Sequence, residues 1–295
     1  MDSEQFAKYL ELVDHPVQLS LFPDVSSLYF IYREHVTRFP YQNLDLYQGK
    51  PMVDLSISAL LETLPVRGGH CFQQSELIFA VLEKIGFHVE RVAAWVLMGN
   101  DYQEGMPLNH NILLVRIGEE TYLCDPGLAS ASPRLVQTNL LPYLHTQKFS
   151  YPIKLNMQST EEVTISEGDE YKLEVEDEFY QLHWMMKGSY LLMYRFDRSS
   201  NTCWAKTSDR ETTLELCKNV YEDPGFIPIR DKYVKIALQT NDTKIDFFFT
   251  DGSYSLKIFA KGRPREERSV DFKEFFQLIN EMCNLEFEAT EITQK

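Results

Sequence analysis

The segment RGGHCFQQ at residues 67–74 constrains the chain most, because it places a cysteine between two glycines and a helical pattern. From Phe72 to Ile85 apolar residues recur at the spacing of one buried helix face, and Gly86 follows as a helix stop. Cys71 is therefore predicted in the first helical turn, where free N–H groups and the helix dipole favour a nucleophilic thiolate. A small, inert cysteine buried beside a tight turn fits the segment at least as well.

Cysteine usage and charge limit the classes of function. The five cysteines are irregularly spaced and include no Cys-x-x-Cys pair, which disfavours a disulfide framework and a zinc site. We therefore expect reduced thiols, no metal and a cytoplasmic location. The polar N-terminus is unlike a signal peptide, and no apolar run is long enough to span a bilayer. The net charge of −15 disfavours a nucleic-acid surface, so we expect neither a nucleic-acid nor a membrane partner.

Apolar periodicity predicts an α+β chain in three parts: a helical bundle over 1–86, a mainly antiparallel β region over 87–200 and an α/β region over 201–295. Helices are predicted at 3–13, 23–37, 56–64, 72–85 and 208–220, with a last helix capped by Ser269 or Asp271. Residues 39–45 are predicted to be an irregular link, because a proline follows Phe39. Strands are predicted at 89–98, 110–117, 121–124, 163–165, 171–175, 179–185 and 190–196, and a three-stranded meander at 234–239, 244–250 and 254–260.

A nucleophilic cysteine needs a base, and the base needs an acceptor that orients it. His110 begins one predicted strand and Asp125 ends the next, so a hairpin turn near 118–120 brings both to one end. His70 is set aside, because neighbouring side chains on a helix point about 100° apart. From the residues alone, His110 fits equally well as a polar residue at the edge of a strand. Asp125 fits as part of an Asp-Pro-Gly turn, in which its carboxylate accepts backbone N–H groups.

Four landmarks in register resemble the arylamine N-acetyltransferase family. FPYQNLD at 39–45 is similar to the family's PFENLD, and RGGHCFQ at 67–73 to its RGGxCFE. His110 followed by LLV matches the family's histidine strand, and YLCDPG at 122–127 matches YxxDxG. The resemblance covers about residues 25–130 of the chain.

The resemblance implies a helical bundle, an antiparallel β-barrel and an α/β lid around a papain-like cysteine catalytic core. It also implies ping-pong acetyl transfer from acetyl-CoA to an arylamine, arylhydroxylamine or arylhydrazine, as in xenobiotic metabolism. Cys71 would be acetylated, His110 would take the thiol proton, and Asp125 would orient His110. Acetyl-CoA would be a co-substrate, with no permanently bound cofactor. The backbone N–H of Cys71 is our own candidate for holding the oxyanion.

The candidate contacts beyond these three residues are less specific. For the CoA phosphates they are Arg67, Lys187 and Lys232. For the substrate pocket they are Phe39, Tyr41, Phe72, Pro126, Leu128 and Ser130. The chain departs from the family pattern at Gln42 and Gln73, where glutamate is usual, and at Ser75, where asparagine is common. Pro126–Ser130 replaces the glycine-rich run that lines the acceptor pocket in relatives, which affects acceptor choice more than acyl chemistry.

Three other functions remain open from the sequence. One is a same-fold amide synthase or acyltransferase with a different thioester and acceptor. Another is a papain-like or transglutaminase-like cysteine hydrolase, and the third is a non-catalytic binding module. The sequence does not predict an oligomeric state.

Overall fold

The computed structural model describes residues 1–15, 20–127, 153–155, 163–165, 171–176, 179–186, 189–197, 209–223, 233–239, 243–250, 252–260, 266–283, 285 and 287. The helices in this part of the chain are α1 Ser3–Leu12, α2 Val25–Arg38, α3 Leu44–Tyr47, α4 Ile57–Arg67, α5 Cys71–Ile85, α6 Arg210–Glu222 and α7 Phe272–Cys283. The strands are β1 Tyr41–Gln42, β2 His88–Val96, β3 His110–Ile117, β4 Glu120–Cys124, β5 Ile153–Leu155, β6 Val163–Ile165, β7 Tyr171–Glu176, β8 Phe179–Met186, β9 Ser189–Asp197, β10 Tyr233–Gln239, β11 Thr243–Thr250, β12 Ser253–Ala260 and β13 Glu266–Val270.

The N-terminal helices form where the periodicity predicts them. Side chains of Asp2, Asp24 and Ser56 accept backbone N–H groups at the starts of α1, α2 and α4. The predicted end of α4 at residue 64 was too early, because Pro65 lies in the last turn and Gly68, with φ of +70°, ends the helix. Central α5 is buried along most of its length and anchors the core between the helices and the sheet.

Residues 39–45 were predicted to be irregular, and this prediction was wrong in part. Tyr41 and Gln42 form β1, which pairs with Ala237 and Ile236 of β10. The α3 helix then begins at Leu44. The partner strand lies almost two hundred residues further along the chain, so local sequence patterns could not show this pairing.

Within the described residues, the larger sheet has eight antiparallel strands in the order β5-β4-β3-β2-β9-β8-β7-β6, curled into a half-barrel. Its inner face is a core of apolar side chains from β2, β3, β4, β8 and β9. The predicted hairpin is present as β3 and β4, with Leu113 opposite Cys124. The short strand β5 on the outside of β4 was not predicted.

The smaller sheet has the order β1-β10-β11-β12-β13, and α7 packs on one of its faces. The predicted meander is present as β10, β11 and β12, while β13 was missed. Asp271 caps α7 by accepting the Glu274 N–H at 2.8 Å, whereas the alternative cap Ser269 lies in β13. Cys217 and Val220 of α6 belong to the helical core, so the last third of the chain packs into the first.

The predicted mixed α+β class, with N-terminal helices followed by an antiparallel half-barrel, is confirmed. The boundaries 1–86, 87–200 and 201–295, and the role of the last part as a lid, stay predictions. Over the described ranges no helix combines the length and hydropathy that a bilayer crossing requires.

Candidate active site

The two glycines before Cys71 allow an unusually close approach between two chain segments. The N–H of Gly69 donates to the Pro40 carbonyl at 3.0 Å, and the Gly69 carbonyl accepts from the Gln42 N–H at 3.1 Å. A Cβ on Gly68 would lie only 2.5 Å from the Pro40 oxygen. Glycine is therefore required sterically at 68, and the loop is fixed against β1 directly before the nucleophile candidate.

Cys71 is the first residue of α5, as predicted, and only 8% of its surface is exposed. His70 is the N-cap and has an extended backbone. Its Nδ1 accepts the Phe72 N–H at 3.3 Å, while the His70 N–H donates to Gln73 Oε1 at 3.2 Å. This reciprocal capping box holds the Cys71 sulfur at the positive end of the helix dipole.

The hairpin brings His110 and Asp125 together. Extending the β3–β4 register puts Asp125 opposite Ile112, so Asp125 is the diagonal neighbour of His110 on the same face. His110 Nε2 lies 2.8 Å from Asp125 Oδ2, and both side chains are about nineteen-twentieths buried. The other imidazole nitrogen is left for Cys71, which is hydrogen-bonded to His110.

Electrostatics favour a thiolate–imidazolium pair. Burial by itself raises the pKa of the Cys71 thiol, but the His110 charge and hydrogen bonds from His110 and His70 outweigh burial and lower the pKa to about 6. Burial likewise lowers the pKa of His110, but the nearby charges of Asp125 and Cys71 raise it to about 10. Near pH 7 the proton therefore resides on the imidazole.

In the other described cysteines the pKa of the thiol is raised. Burial raises the pKa of Cys124 and of Cys217 well above the ordinary thiol value, and raises the pKa of Cys283 to about 12. All four described cysteines are free thiols, and Cys203 lies outside the described residues. Among the described cysteines, Cys71 is therefore the one prepared for nucleophilic chemistry.

Hydrogen bonds between uncharged groups hold the segments that carry Cys71 and Asp125. The Tyr32 hydroxyl donates to the Asp125 carbonyl at 2.8 Å and fixes the end of β4. Gln74 donates to the Gly69 carbonyl at 3.3 Å and accepts from His35 Nε2 at 2.9 Å. Burial lowers the pKa of His35 to about 3, so His35 is a neutral donor at physiological pH.

The remaining predicted contacts lie in different surroundings. Arg67, proposed for CoA phosphates, is bonded to Asp45 through two nitrogens, at 3.0 Å from Nε and 2.6 Å from Nη2. Phe39 and Phe72 are buried in the helical core, Tyr41 is partly exposed in β1, and Pro126 is buried beside Asp125. Lys187, Lys232, Leu128 and Ser130 lie outside the described residues.

The glutamine departures keep their local hydrogen bonds. Gln42 donates to Asp45 Oδ2 at 3.0 Å and accepts the Asp45 N–H at 3.3 Å. Gln73 completes the capping box. The Ser75 hydroxyl donates to the Asn111 carbonyl at 2.8 Å. Neutral amides therefore serve as acceptors at 42 and 73, without adding negative charge near Cys71.

The reason for setting His70 aside was wrong. The 100° separation applies to two residues on a helix, whereas His70 has an extended N-cap backbone that turns its imidazole back over the first turn. The pattern His-x-x-Gln at 70–73 was a signal for a capping box. The partner of His70 Nε2, the Tyr221 hydroxyl at 3.0 Å, lies 151 residues away and had no local signal.

A cysteine at a helix N-terminus, facing a histidine and an aspartate on an antiparallel sheet, defines the papain-like class of fold. A family model described as N-acetyltransferase matches residues 24–141. The arylamine N-acetyltransferase of Mycolicibacterium smegmatis is 36% identical over 110 residues, 36% of this chain and 40% of that protein. The Escherichia coli arylamine N-acetyltransferase is 27% identical over 182 residues, 59% of this chain and 55% of that protein. The aligned part therefore spans about half the length of these curated relatives.

Solved structures extend the likeness of fold to nearly the whole chain. The arylamine N-acetyltransferase of Salmonella typhimurium has a TM-score of 0.74 at 20% identity, covering 99% of this chain and 97% of that chain. The Mycobacterium marinum enzyme in complex with CoA has a TM-score of 0.72 at 20% identity, covering 97% and 96%. The family model, the curated relatives and the solved structures all point to the arylamine N-acetyltransferase family.

Proposed function

We propose that this chain transfers an acetyl group from acetyl-CoA to an aromatic amine, arylhydroxylamine or arylhydrazine through an acetyl-Cys71 intermediate. The observation that carries the proposal is the lowered pKa of Cys71, hydrogen-bonded to a His110 whose other nitrogen lies 2.8 Å from Asp125. The names of the relatives, and the CoA bound to the M. marinum enzyme, support the choice of donor and acceptor.

In the first half-reaction the Cys71 thiolate attacks the thioester carbonyl of acetyl-CoA. The backbone N–H of Cys71, at the start of α5, donates to the oxyanion that forms. The intermediate collapses with loss of the CoA thiolate, which takes the proton carried by His110. This step leaves a neutral imidazole and an acetylated Cys71.

In the second half-reaction an amine attacks the acetyl thioester of Cys71. Neutral His110 accepts the amine proton, and the Cys71 thiolate leaves. The negative charge of Asp125 stabilises the resulting imidazolium and fixes the ring orientation through the 2.8 Å bond. The initial thiolate–imidazolium pair is restored.

Steady-state kinetics test this sequence. With acetyl-CoA and an arylamine such as aniline, we expect parallel double-reciprocal lines, because CoA leaves before the amine binds. Without an acceptor, acetyl-CoA should release about one equivalent of CoA per chain in a burst. Cys71→Ala should abolish the burst, whereas Cys283→Ala, which removes a thiol remote in sequence, should retain it.

Two outcomes would replace the proposal. A burst with another acyl thioester but none with acetyl-CoA would indicate an acyltransferase with a different donor. Intersecting lines would show that both substrates must bind before reaction, which contradicts an acetyl-enzyme intermediate.

A further inference from the structure

His70 and Tyr221 form a second polar pair beside Cys71 that the mechanism above does not use. His70 is 2% exposed, and its Nε2 lies 3.0 Å from the Tyr221 hydroxyl. The two rings are 5.6 Å apart and inclined by 59°. The imidazole is therefore held between the first turn of α5 and the far helix α6.

The N-cap role does not account for all the contacts of this imidazole. Serine, threonine, asparagine and aspartate are the usual N-cap residues, because they are short acceptors. The capping contact that His70 provides, to the Phe72 N–H, is long at 3.3 Å. A hydrogen bond from His70 is also among the causes that lower the pKa of Cys71, and a purely capping residue does not require one.

We propose that His70 is a positioning residue that donates a second hydrogen bond to the Cys71 thiolate, in the tautomer selected by the Tyr221 hydroxyl. In this state Tyr221 O–H donates to Nε2, so Nδ1 carries the proton and points it at the sulfur. The opposite tautomer accepts the Phe72 N–H through Nδ1 and donates from Nε2 to Tyr221. The imidazole thus exchanges a capping bond for a bond to the thiolate, without a change in its net charge.

The charges around the pair make this donor useful. His110 already gives one hydrogen bond to Cys71. Of the neighbouring groups, Asp125 acts on His110, and Asp45 acts on Tyr221. Glu76 and Cys71 both act on the thiol of Cys217 on α6. A hydrogen bond donated to the thiolate favours the charged form of Cys71, so a second donor adds to the stabilisation that His110 provides.

The inference concerns the thiol of the proposed acetyltransferase and rests on that function for its biological meaning, but its test does not need acetyl transfer. The rate of Cys71 alkylation by iodoacetamide is measured against pH in the full chain. His70→Asn keeps a good N-cap and removes the imidazole. Tyr221→Phe keeps the ring and removes the hydroxyl that selects the tautomer.

In His70→Asn we expect the apparent pKa of Cys71 to rise by about one pH unit, which slows alkylation about fivefold at pH 6 and leaves the rate above pH 9 unchanged. Tyr221→Phe should shift the profile in the same direction by a smaller amount. Unchanged profiles in both variants would overturn the inference and leave His70 as a cap only. Equal slowing at every pH would also overturn it, because loss of access or packing does not depend on the thiolate fraction.

Acetylation by acetyl-CoA is measured on the same samples, so the two hypotheses are separated. If the variants show the alkylation shift but the wild-type chain is not acetylated, the proposed function alone is refuted. Circular dichroism of each variant checks that the helix content of the chain is retained, and His70→Ser provides a second capped variant if His70→Asn does not fold.

Discussion

Replacement of Gly127 by alanine tests how closely the turn after β4 approaches Cys71. A Cβ at this position would lie 2.5 Å from Cys71 Cβ, 2.9 Å from Cys71 Cα and 3.0 Å from His110 Cε1. Ordinary carbon–carbon contacts are about 3.5–4.0 Å long, so Cys71 and the turn that carries residue 127 must separate by about 1 Å. The obstacle includes backbone, which cannot rotate away as a flexible side chain does.

Such a displacement alters the geometry of the reaction more than the stability of the fold. We expect a stability loss of about 1–3 kcal/mol from overpacking. A shift of about 1 Å between reacting groups reduces a rate by about 100-fold. The burst rate of CoA release therefore should fall by about two orders of magnitude at temperatures where the variant is fully folded.

Gly99→Ala is the matched control. Its Cβ would clash with Leu191 Cδ1, and its φ of +87° adds backbone strain, but the clash involves none of Cys71, His110 and Asp125. We expect Gly99→Ala to lose comparable or greater stability in urea unfolding while keeping the burst rate within about threefold. A Gly127→Ala protein with the wild-type burst rate would refute the close approach and the steric argument built on it.

Three further predictions concern charge. Asp125→Asn should slow acetylation by about 10³–10⁴-fold in single-turnover mixing, because the pKa of His110 falls and the imidazole loses its fixed orientation. A loss of rate below about tenfold would contradict the orienting role of Asp125. The acetylation rate of the wild type should rise through pH 6 and fall through pH 10, since folding lowers the pKa of Cys71 to about 6 and raises that of His110 to about 10. The stabilising ion pair is accordingly lost as pH falls through the pKa of Cys71 and as pH rises through the pKa of His110. A stopped-flow pH series in which the acetylation rate rises only near pH 9 would refute the lowered pKa of Cys71. In the wild type, Arg91 Nη2 lies 3.0 Å from the buried carboxylate of Glu76. Arg91→Met removes this cation, so the free energy of unfolding measured in urea should fall by about 3–5 kcal/mol. Adding Glu76→Leu to the same chain should restore most of the lost stability.

The sequence was most informative where structure is local. The spacing of apolar residues after Cys71 predicted α5. Most of that helix is buried, and a buried helix face requires apolar residues at regular helical spacing. The hairpin at Gly118 placed His110 and Asp125 at one end, since a short turn leaves little freedom of register. The capping geometry of His70 was missed because the helix was assumed to include it.

Long-range contacts were inaccessible to the same reasoning. The pairing of Gln42 with Ile236 and the bond from His70 to Tyr221 join distant parts of the chain. Arg67 was considered for phosphate binding on its charge alone, and its ion pair with Asp45 depends on how α3 and α4 pack. Spacing within one segment carries no information on which of several distant partners a side chain will meet.

Intact-mass analysis after brief exposure to acetyl-CoA, without an acceptor, tests the central claim most directly. We expect one added mass of about 42 Da per chain, located by peptide mapping on Cys71 and removed when an arylamine is added. The adduct should be absent from Cys71→Ala and present in Cys283→Ala. An unmodified chain, or an adduct located on another residue, would contradict acetyl transfer through Cys71.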